Sequence, residues 1–538
     1  MGVAKAILCL PPPNVSRMPS PQSLQRWQAA ERQLQQGRHE QAAHAYRALT
    51  IEPELAPMAH LRLSLIAQAR GHYRDAVDEA VVAHATRVED PDLLEMIAKR
   101  LFRLGELQPA VEIATSATML RSNSAGSLAE LGKMLSFHMF PAQALRLLDG
   151  ARALGLDSPG MRYFIGLNRH YTGDDAGARD MLESCLRMDP GSANALWTLA
   201  RIGLPPGDGI DRVDRIRAAL DKLPEGHADR PMLLYALFTE LDRRGDTAAA
   251  WPALEAGMRA RHAMLPFDPA GEEALFEHLG QLGPVAQPGH EGEGPRPVFI
   301  VGLPRSGTTL LERVLGNHPD IADAGELTDL LRQLRYCADM DGDRLVDLAL
   351  ARKAETSVDW AELGRRYLAH TQWRAQGKAV YTDKLPPNFL HVAYIARALP
   401  QARILHMVRG PLDTCFSNIK TLFAGAYPPS HDQAEMAGHY RRYRALMAQW
   451  HAAFPGRILD VRYDELVQEP ERVAAEVLAF IGLAPHAGIT KLEQRDGTVA
   501  TPSSTQVRAG ISDRYIGQWR RYADQLGVLR EKLGALAY

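Results

Sequence analysis

The sequence predicts two fold classes in one chain: an N-terminal all-α helical solenoid, then an α/β domain with a parallel sheet. Three observations carry this. A glycine and alanine signature recurs at a fixed period through the first half. Near residue 298 a short β-branched run, "PVFIV", turns through a glycine loop into "TTLLERVLGNH", whose apolar residues have helical spacing. Between the two, residues 281–296 are rich in Gly and Pro and lack an apolar period, which marks a linker. The expected organisation is a disordered leader over 1–20, a helical array over 21–280, the linker, and a second domain over 297–538.

Composition sets the outer bounds. At 538 residues, 46% hydrophobic and 23% charged, the chain is a multidomain globular protein with ample apolar surface to bury. A net charge of -2 supplies no global basic field, so nucleic acid is not an expected partner. Cys9, Cys185, Cys337 and Cys415 are far apart, with neither metal-ligand spacing nor a disulfide framework, which favours a reducing compartment. The apolar run near the N-terminus is shorter than the roughly 7 to 15 residues of a signal-peptide core. Gly2 lacks the Ser or Thr that a myristoylation motif needs at position 6, which is Ala6. No segment approaches the roughly 20 apolar residues of a membrane span, so the expected location is the cytoplasm.

In the first half Gly37, Gly71, Gly105 and Gly173 share one register of period 34, with Met139 in the missing place. Five residues after each stands an alanine: Ala42, Ala76, Ala110, Ala144 and Ala178. A glycine ends the first helix of a pair in a left-handed cap, and a small residue early in the second lets the two helices approach closely. Prolines such as Pro53, Pro91, Pro159 and Pro190 are expected near the ends of second helices, and Gly245 with Ala250 marks a final, out-of-register copy. This pattern resembles the tetratricopeptide repeat family. The resemblance implies a concave surface that holds a protein segment; packing on the second domain or homodimer formation are the alternative uses.

"VGLPRSGTTLLER" joins a strand, a glycine loop and a helix N-terminus, where unpaired backbone N–H groups converge as an anion site. The spacing Gly302 to Gly307 begins a nucleotide P-loop, but Thr308 stands where that motif has the lysine that reaches the terminal phosphates. Its absence counts against a nucleotide kinase or phosphotransferase, and Arg305 brings a cation from within the loop unless it is merely a solvated loop arginine. "PRSGTTL" after a buried strand resembles the 5'-phosphosulfate loop of the sulfotransferase family, whose co-substrate is 3'-phosphoadenosine 5'-phosphosulfate (PAPS). The resemblance implies that Arg305, Ser306, Gly307, Thr308 and Thr309 hold the 5' end.

A second anion site is then required for the 3'-phosphate. In "RILHMVRGPLDTCFSNIK" a strand ends at Arg409, Pro411 suits a first helical position, and Ser417 lies about two turns beyond. This resembles the family's 3'-phosphate motif. Arg508 and Gly510 resemble an Arg-x-Gly of the cytosolic branch, although Ala509 removes a charge often found between them, while "SSTQV" and Trp519 resemble tyrosylprotein sulfotransferases. Tyr463 corresponds to a tyrosine near the adenosine in that branch, with ordinary strand-end packing as the equal alternative.

The family chemistry is in-line sulfuryl transfer with charge stabilisation and a base, and no metal is required. The resemblance implies Glu326, in "GEL", as base, with Arg305 and Lys384 neutralising charge and Ser504 holding the sulfuryl group. Bland readings stand beside these: a first-turn acid at a helix dipole for Glu326, and a turn lysine paired with Asp383 for Lys384. The acceptor is then a peptide or protein tyrosine, or another hydroxylated molecule, since fold and motif do not fix it. A non-catalytic scaffold with a degenerate second domain is the remaining alternative.

Overall fold

Helix pairs occupy the first half because glycine caps and buried alanines recur together. The computed structural model describes residues 20–203, 211–265, 267–287, 289–342, 345–423, 427–492 and 510–537. Pairs Pro21–Gln35 with His39–Leu49, Ala56–Ala69 with Tyr73–Ala85, and Pro91–Leu104 with Leu107–Ala114 follow the predicted register. Gly37, Gly71, Gly105 and Gly173 all take left-handed φ between +73° and +98°, and Met139, the exception in sequence, takes φ +64° in the same place. The five register alanines and Ala250 are fully buried. Pro91 and Pro159 do not close second helices; each opens the next first helix, where its missing N–H costs nothing.

Two compact units are present. The first comprises Met1–Asp157 with Thr328–Asp343 and Lys353–Asp359; the second comprises Ser158–Leu327, Arg344–Arg352 and Trp360–Tyr538. In the first unit helix Asp329–Ala338 joins the array: Arg74 donates through its backbone N–H to Asp339 (2.8 Å), and the Tyr336 hydroxyl donates to Asp78 (2.8 Å). In the second unit, helices Pro159–Thr172 through Pro269–Gly280 share the unit with the sheet. Among the described residues no helix is long and apolar enough to cross a membrane.

Among the described residues the sheet has five parallel strands: β1 Arg296–Gly302, β2 Ile321–Asp323, β3 Val380–Asp383, β4 Arg403–Val408 and β5 Ile458–Arg462, in the order β2-β3-β1-β4-β5. All β1 residues after Arg296 are buried, as in a sheet covered on both faces. Leu311, Val314 and Leu315 from the following helix pack with Val477, Leu478 and Ile481 around Ile300, Leu405 and Val461. After β1 the chain crosses to β2 on one side, and after β4 to β5 on the other, so the crevice at the carboxyl ends of β1 and β4 is the switch point where such sheets bind ligands.

The left-handed cap at Met139 is strained by about 1 kcal/mol relative to glycine. Met139→Gly is expected to raise the urea midpoint of the first unit's transition, and Gly173→Ala, with open space around its Cβ, to lower that of the second. Unchanged midpoints in both would remove the cap argument.

Candidate active site

Loop 303–307 turns tightly at the carboxyl end of β1, and its backbone explains its glycines. Gly302 has φ +146°, and a Cβ there would come within 2.7 Å of the Met407 carbonyl oxygen on β4. Gly307, at φ +110°, caps helix Thr308–Leu315, and a Cβ would meet the Tyr463 ring at 2.5 Å. Arg305 itself is left-handed at φ +67°, a strained conformation for a side-chain-bearing residue. Asn418 holds the loop by donating to the Pro304 carbonyl at 2.8 Å.

Around this loop a pocket of about 50 Å³ is lined by Arg305, Gly307, Thr309, Arg409, Ser417 and Tyr463, together with Gly510 and neighbouring residues. Arg409 leaves the end of β4, donates from Nη1 to the Arg305 carbonyl (3.1 Å) and from Nη2 to the Tyr515 carbonyl, and lies 4.8 Å over the Tyr463 ring. Pro411 opens helix Pro411–Ile419, which carries Ser417 to the same pocket, where its hydroxyl meets Arg305 Nε at 3.4 Å. Burial pushes the Arg305 guanidinium down to about 10, helped by the charge of Arg409, and burial also lowers Arg409. The buried Ser306 Oγ and Arg409 Nε have no hydrogen-bond partner among the described residues. Such orphaned donors beside two like charges suit an anion carrying several oxygens. The phosphates of PAPS fit that donor set.

Lys384 follows β3 and is fully buried. Its Nζ donates to Glu326 Oε1 at 2.7 Å and lies 3.9 Å from Glu312. Burial alone would lower this amine, but Glu326 and Glu312 outweigh it and hold its pKa above the ordinary value. Glu326, near one-third exposed in its side chain, lies in the loop before helix Asp329–Ala338 and pairs with Lys384 rather than starting that helix. Lys384 thus pairs with Glu326 and Glu312.

The candidate site residues therefore form two groups along the strand ends: Arg305, Ser306, Gly307, Thr308, Thr309, Arg409 and Ser417 after β1 and β4, joined by Tyr463 after β5 and by Gly510, and Glu326 with Lys384 at β3. Ser504, Arg508 and Ala509 lie outside the described residues. Glu312, which sequence reasoning missed, couples the groups. It stands on the glycine-loop helix, and its Oε1 accepts from the Thr382 hydroxyl (2.8 Å) and the Gly325 N–H (3.0 Å), docking the turn that carries Glu326. Burial pushes this carboxyl up to about 7. Only its place four residues after Thr308 hinted at this role, because a helical glutamate usually faces water.

Elsewhere, His406 on β4, Asp460 on β5 and His451 on helix Gln433–Ala453 bring possible metal-ligand atoms within 4.8 Å of one another. Both imidazoles hydrogen-bond one Asp460 oxygen, at 2.7 and 2.8 Å.

Residues 297–487 match the family model described as "Sulfotransferase family". The chain is 32% identical over 253 residues to a protein of Aquifex aeolicus described as uncharacterized, a match covering 44% of this chain and 32% of that protein. It is 27% identical over 188 residues to a putative protein-tyrosine sulfotransferase of Caenorhabditis briggsae, covering 35% of this chain and 65% of the relative. The chain thus spans about a third to two-thirds of the length of these relatives. It is also similar to the sulfotransferase domain of the Synechococcus PCC 7002 olefin synthase, at 23% identity and a TM-score of 0.31, covering 44% of this chain and 90% of that one.

A carboxyl raised in the folded state favours folding at low pH and loses that contribution as pH rises through its folded pKa. For Glu312 the loss runs from its ordinary value near 4.5 to about 7. Glu312→Gln is expected to gain thermal stability over wild type progressively across that window and hold the gain above it. A stability difference that does not change with pH would show that Glu312 is not buried as a titrating group.

Proposed function

We propose, for a chain whose residues 297–487 form a domain of the sulfotransferase family, that it moves a sulfuryl group from PAPS to an acceptor hydroxyl, with a protein tyrosine as the acceptor suggested by its relatives. The observation that carries this reading is the pairing of a lysine-free glycine loop with a second anion-binding pair, the Arg409 guanidinium and the Ser417 hydroxyl, in one pocket. A ligand with phosphates at two separated ends needs such a pair; a triphosphate needs a single extended cradle.

In this reading the backbone N–H groups of 306–309, with the hydroxyls of Ser306, Thr308 and Thr309, hold the 5' end, and Arg409 and Ser417 hold the 3'-phosphate. Tyr463 packs beside the nucleoside, and Arg508 and Gly510 close over it. The donor supplies an activated sulfuryl group: the acceptor O–S bond forms as the S–O bond to the 5'-phosphate breaks, and adenosine 3',5'-bisphosphate leaves. Glu326 takes the acceptor proton, positioned by the Lys384 ammonium 2.7 Å away. Arg305 and Lys384 offset charge developing on the leaving phosphate and on the sulfuryl oxygens, and Ser504 helps to hold the latter. Glu312 fixes the Glu326 turn and does not itself meet the acceptor. No step requires a metal. The reading extends to a cytoplasmic enzyme whose repeat array holds a protein segment on its concave face.

Titration calorimetry with adenosine 3',5'-bisphosphate tests the donor site: wild type binds it, and Arg409→Ala weakens it by about 10-fold or more, the worth of a charge-assisted hydrogen bond of roughly 1.5–3 kcal/mol. Preferential binding of ATP with Mg²⁺ would instead make the domain a phosphotransferase. In ³⁵S transfer from labelled PAPS into a peptide library, Glu326→Gln is expected to cost about 10²- to 10⁴-fold in rate. Undiminished transfer by that variant would remove Glu326 as the base.

A further inference from the structure

A histidine occupies the interior of β4, where a strand covered on both faces of a parallel sheet is expected to be aliphatic. His406 stands between the buried Leu405 and Met407 and is itself 1% exposed. A polar ring in such a place is costly unless both nitrogens have partners. In the register of the sheet its neighbour on β5 is Asp460, whose Oδ1 lies 2.7 Å from His406 Nδ1. His451, in the last turn of helix Gln433–Ala453, brings Nε2 to the same oxygen at 2.8 Å. The second nitrogen of His406 meets the hydroxyl of Tyr443, on the same helix about two turns before His451.

We propose that His406 Nδ1, His451 Nε2 and Asp460 Oδ1 form a site for one divalent ion of the zinc class, with solvent completing its coordination. Zinc takes imidazole nitrogen and carboxylate oxygen, and three protein ligands with one open position make a four-coordinate set. Bonds of roughly 2.0–2.2 Å place tetrahedral ligand atoms about 3.4 Å apart. That spacing falls between the present hydrogen bonds of 2.7 and 2.8 Å and the 4.8 Å within which all three ligand atoms lie.

The ligands stand on two paired strands and a helix, so their positions are set by regular backbone rather than by a loop. Access is from the surface: the side chains of His451 and Asp460 are 37% and 48% exposed, while His406 forms the inner wall. Burial lowers the affinity of His406 for a second proton, against the pull of Asp460, which leaves the ring neutral. Against burial, which would raise it, the two histidines hold the Asp460 carboxyl down to about 2. A neutral imidazole and an ionised carboxylate are the forms that ligate. Arg444 is the cation that acts on His406 from nearby, and it is engaged by the Tyr440 hydroxyl.

Binding needs no proton to leave the site. The His406 proton moves from Nδ1 to Nε2 and is donated to the Tyr443 hydroxyl, which accepts as well as donates, and His451 carries its proton on Nδ1. A partner on the second nitrogen is what fixes the tautomer and orientation of a metal-bound histidine. The Tyr443 hydroxyl is also hydrogen-bonded to the backbone of Leu303, the first residue of the glycine loop. The ion thereby fastens β4, β5 and the helix together beneath that loop. It takes no part in sulfuryl transfer, and the site stands independently of that reading.

Isothermal titration of Zn²⁺ into the tag-free full chain, stripped beforehand with a chelator, tests the site. Wild type is expected to bind one ion at the cluster, and Asp460→Asn and His451→Ala are each expected to weaken that ion about tenfold or more. Asp460→Asn retains an oxygen that accepts from both rings, so a cluster built only for hydrogen bonding predicts the same Zn²⁺ titration for wild type and this variant. Zn²⁺ is expected to raise the thermal midpoint of wild type more than that of either variant, because an ion held by the folded chain stabilises it. Co²⁺ in place of Zn²⁺ gives wild type the strong visible absorption of a four-coordinate ion, and Asp460→Asn loses it. Circular dichroism of the metal-free variants reports that they are folded. Absence of Zn²⁺ binding by wild type, a Co²⁺ spectrum of the weak six-coordinate kind, or an affinity that both variants retain, which would place the ion on other histidines, would each overturn the inference.

Discussion

Two guanidinium groups, Arg305 and Arg409, are held beside each other in the interior at the carboxyl end of a buried parallel sheet. Burial lowers the proton affinity of both, and the charge of Arg409 lowers that of Arg305 further; in a medium less polar than water that repulsion is expensive. The fold holds them there through backbone geometry: the left-handed loop at Arg305, the glycines that let it pass β4 and Tyr463, and the Arg409 bond to the Arg305 carbonyl. An arrangement that resists its own charge is stabilised by an anion. The rest of the site is organised around that constraint.

A complementary arrangement lies at the end of β3, where one buried lysine is shared by two glutamates of different character. Glu312, buried and hydrogen-bonded to Thr382 and Gly325, is structural; Glu326, partly exposed, is the one within reach of an entering group. The difference in burial divides the labour between chemically identical side chains, as burial divides acid from base in many active sites. Glu312 also joins the glycine-loop helix to the turn that bears Glu326, through the Gly325 N–H.

Much of this was legible in the sequence because it depends on local backbone rules. The repeat register survived even at Met139, where the pair geometry demands a left-handed residue and imposes it on a methionine. The strands ending at Gly302, Asp383 and Val408, and the helix opening at Pro411, followed from β-branched runs, glycines and proline positions. What escaped depends on contacts far apart in the chain. Glu312 reads as a solvated helical acid until Thr382 and Gly325 are brought to it. His406, His451 and Asp460 read as separate polar residues until two strands and a helix bring them together. Pro91 and Pro159 showed that a proline between two helices can as well open one as close the other.

The most direct measurement is a crystal structure with adenosine 3',5'-bisphosphate bound. The account predicts 3'-phosphate oxygens within hydrogen-bonding distance of Arg409 and Ser417 and the 5'-phosphate on the N–H groups of 306–309, with the nucleoside beside Tyr463. A nucleotide whose phosphates all lie along the glycine loop, leaving Arg409 and Ser417 without contact, would contradict it.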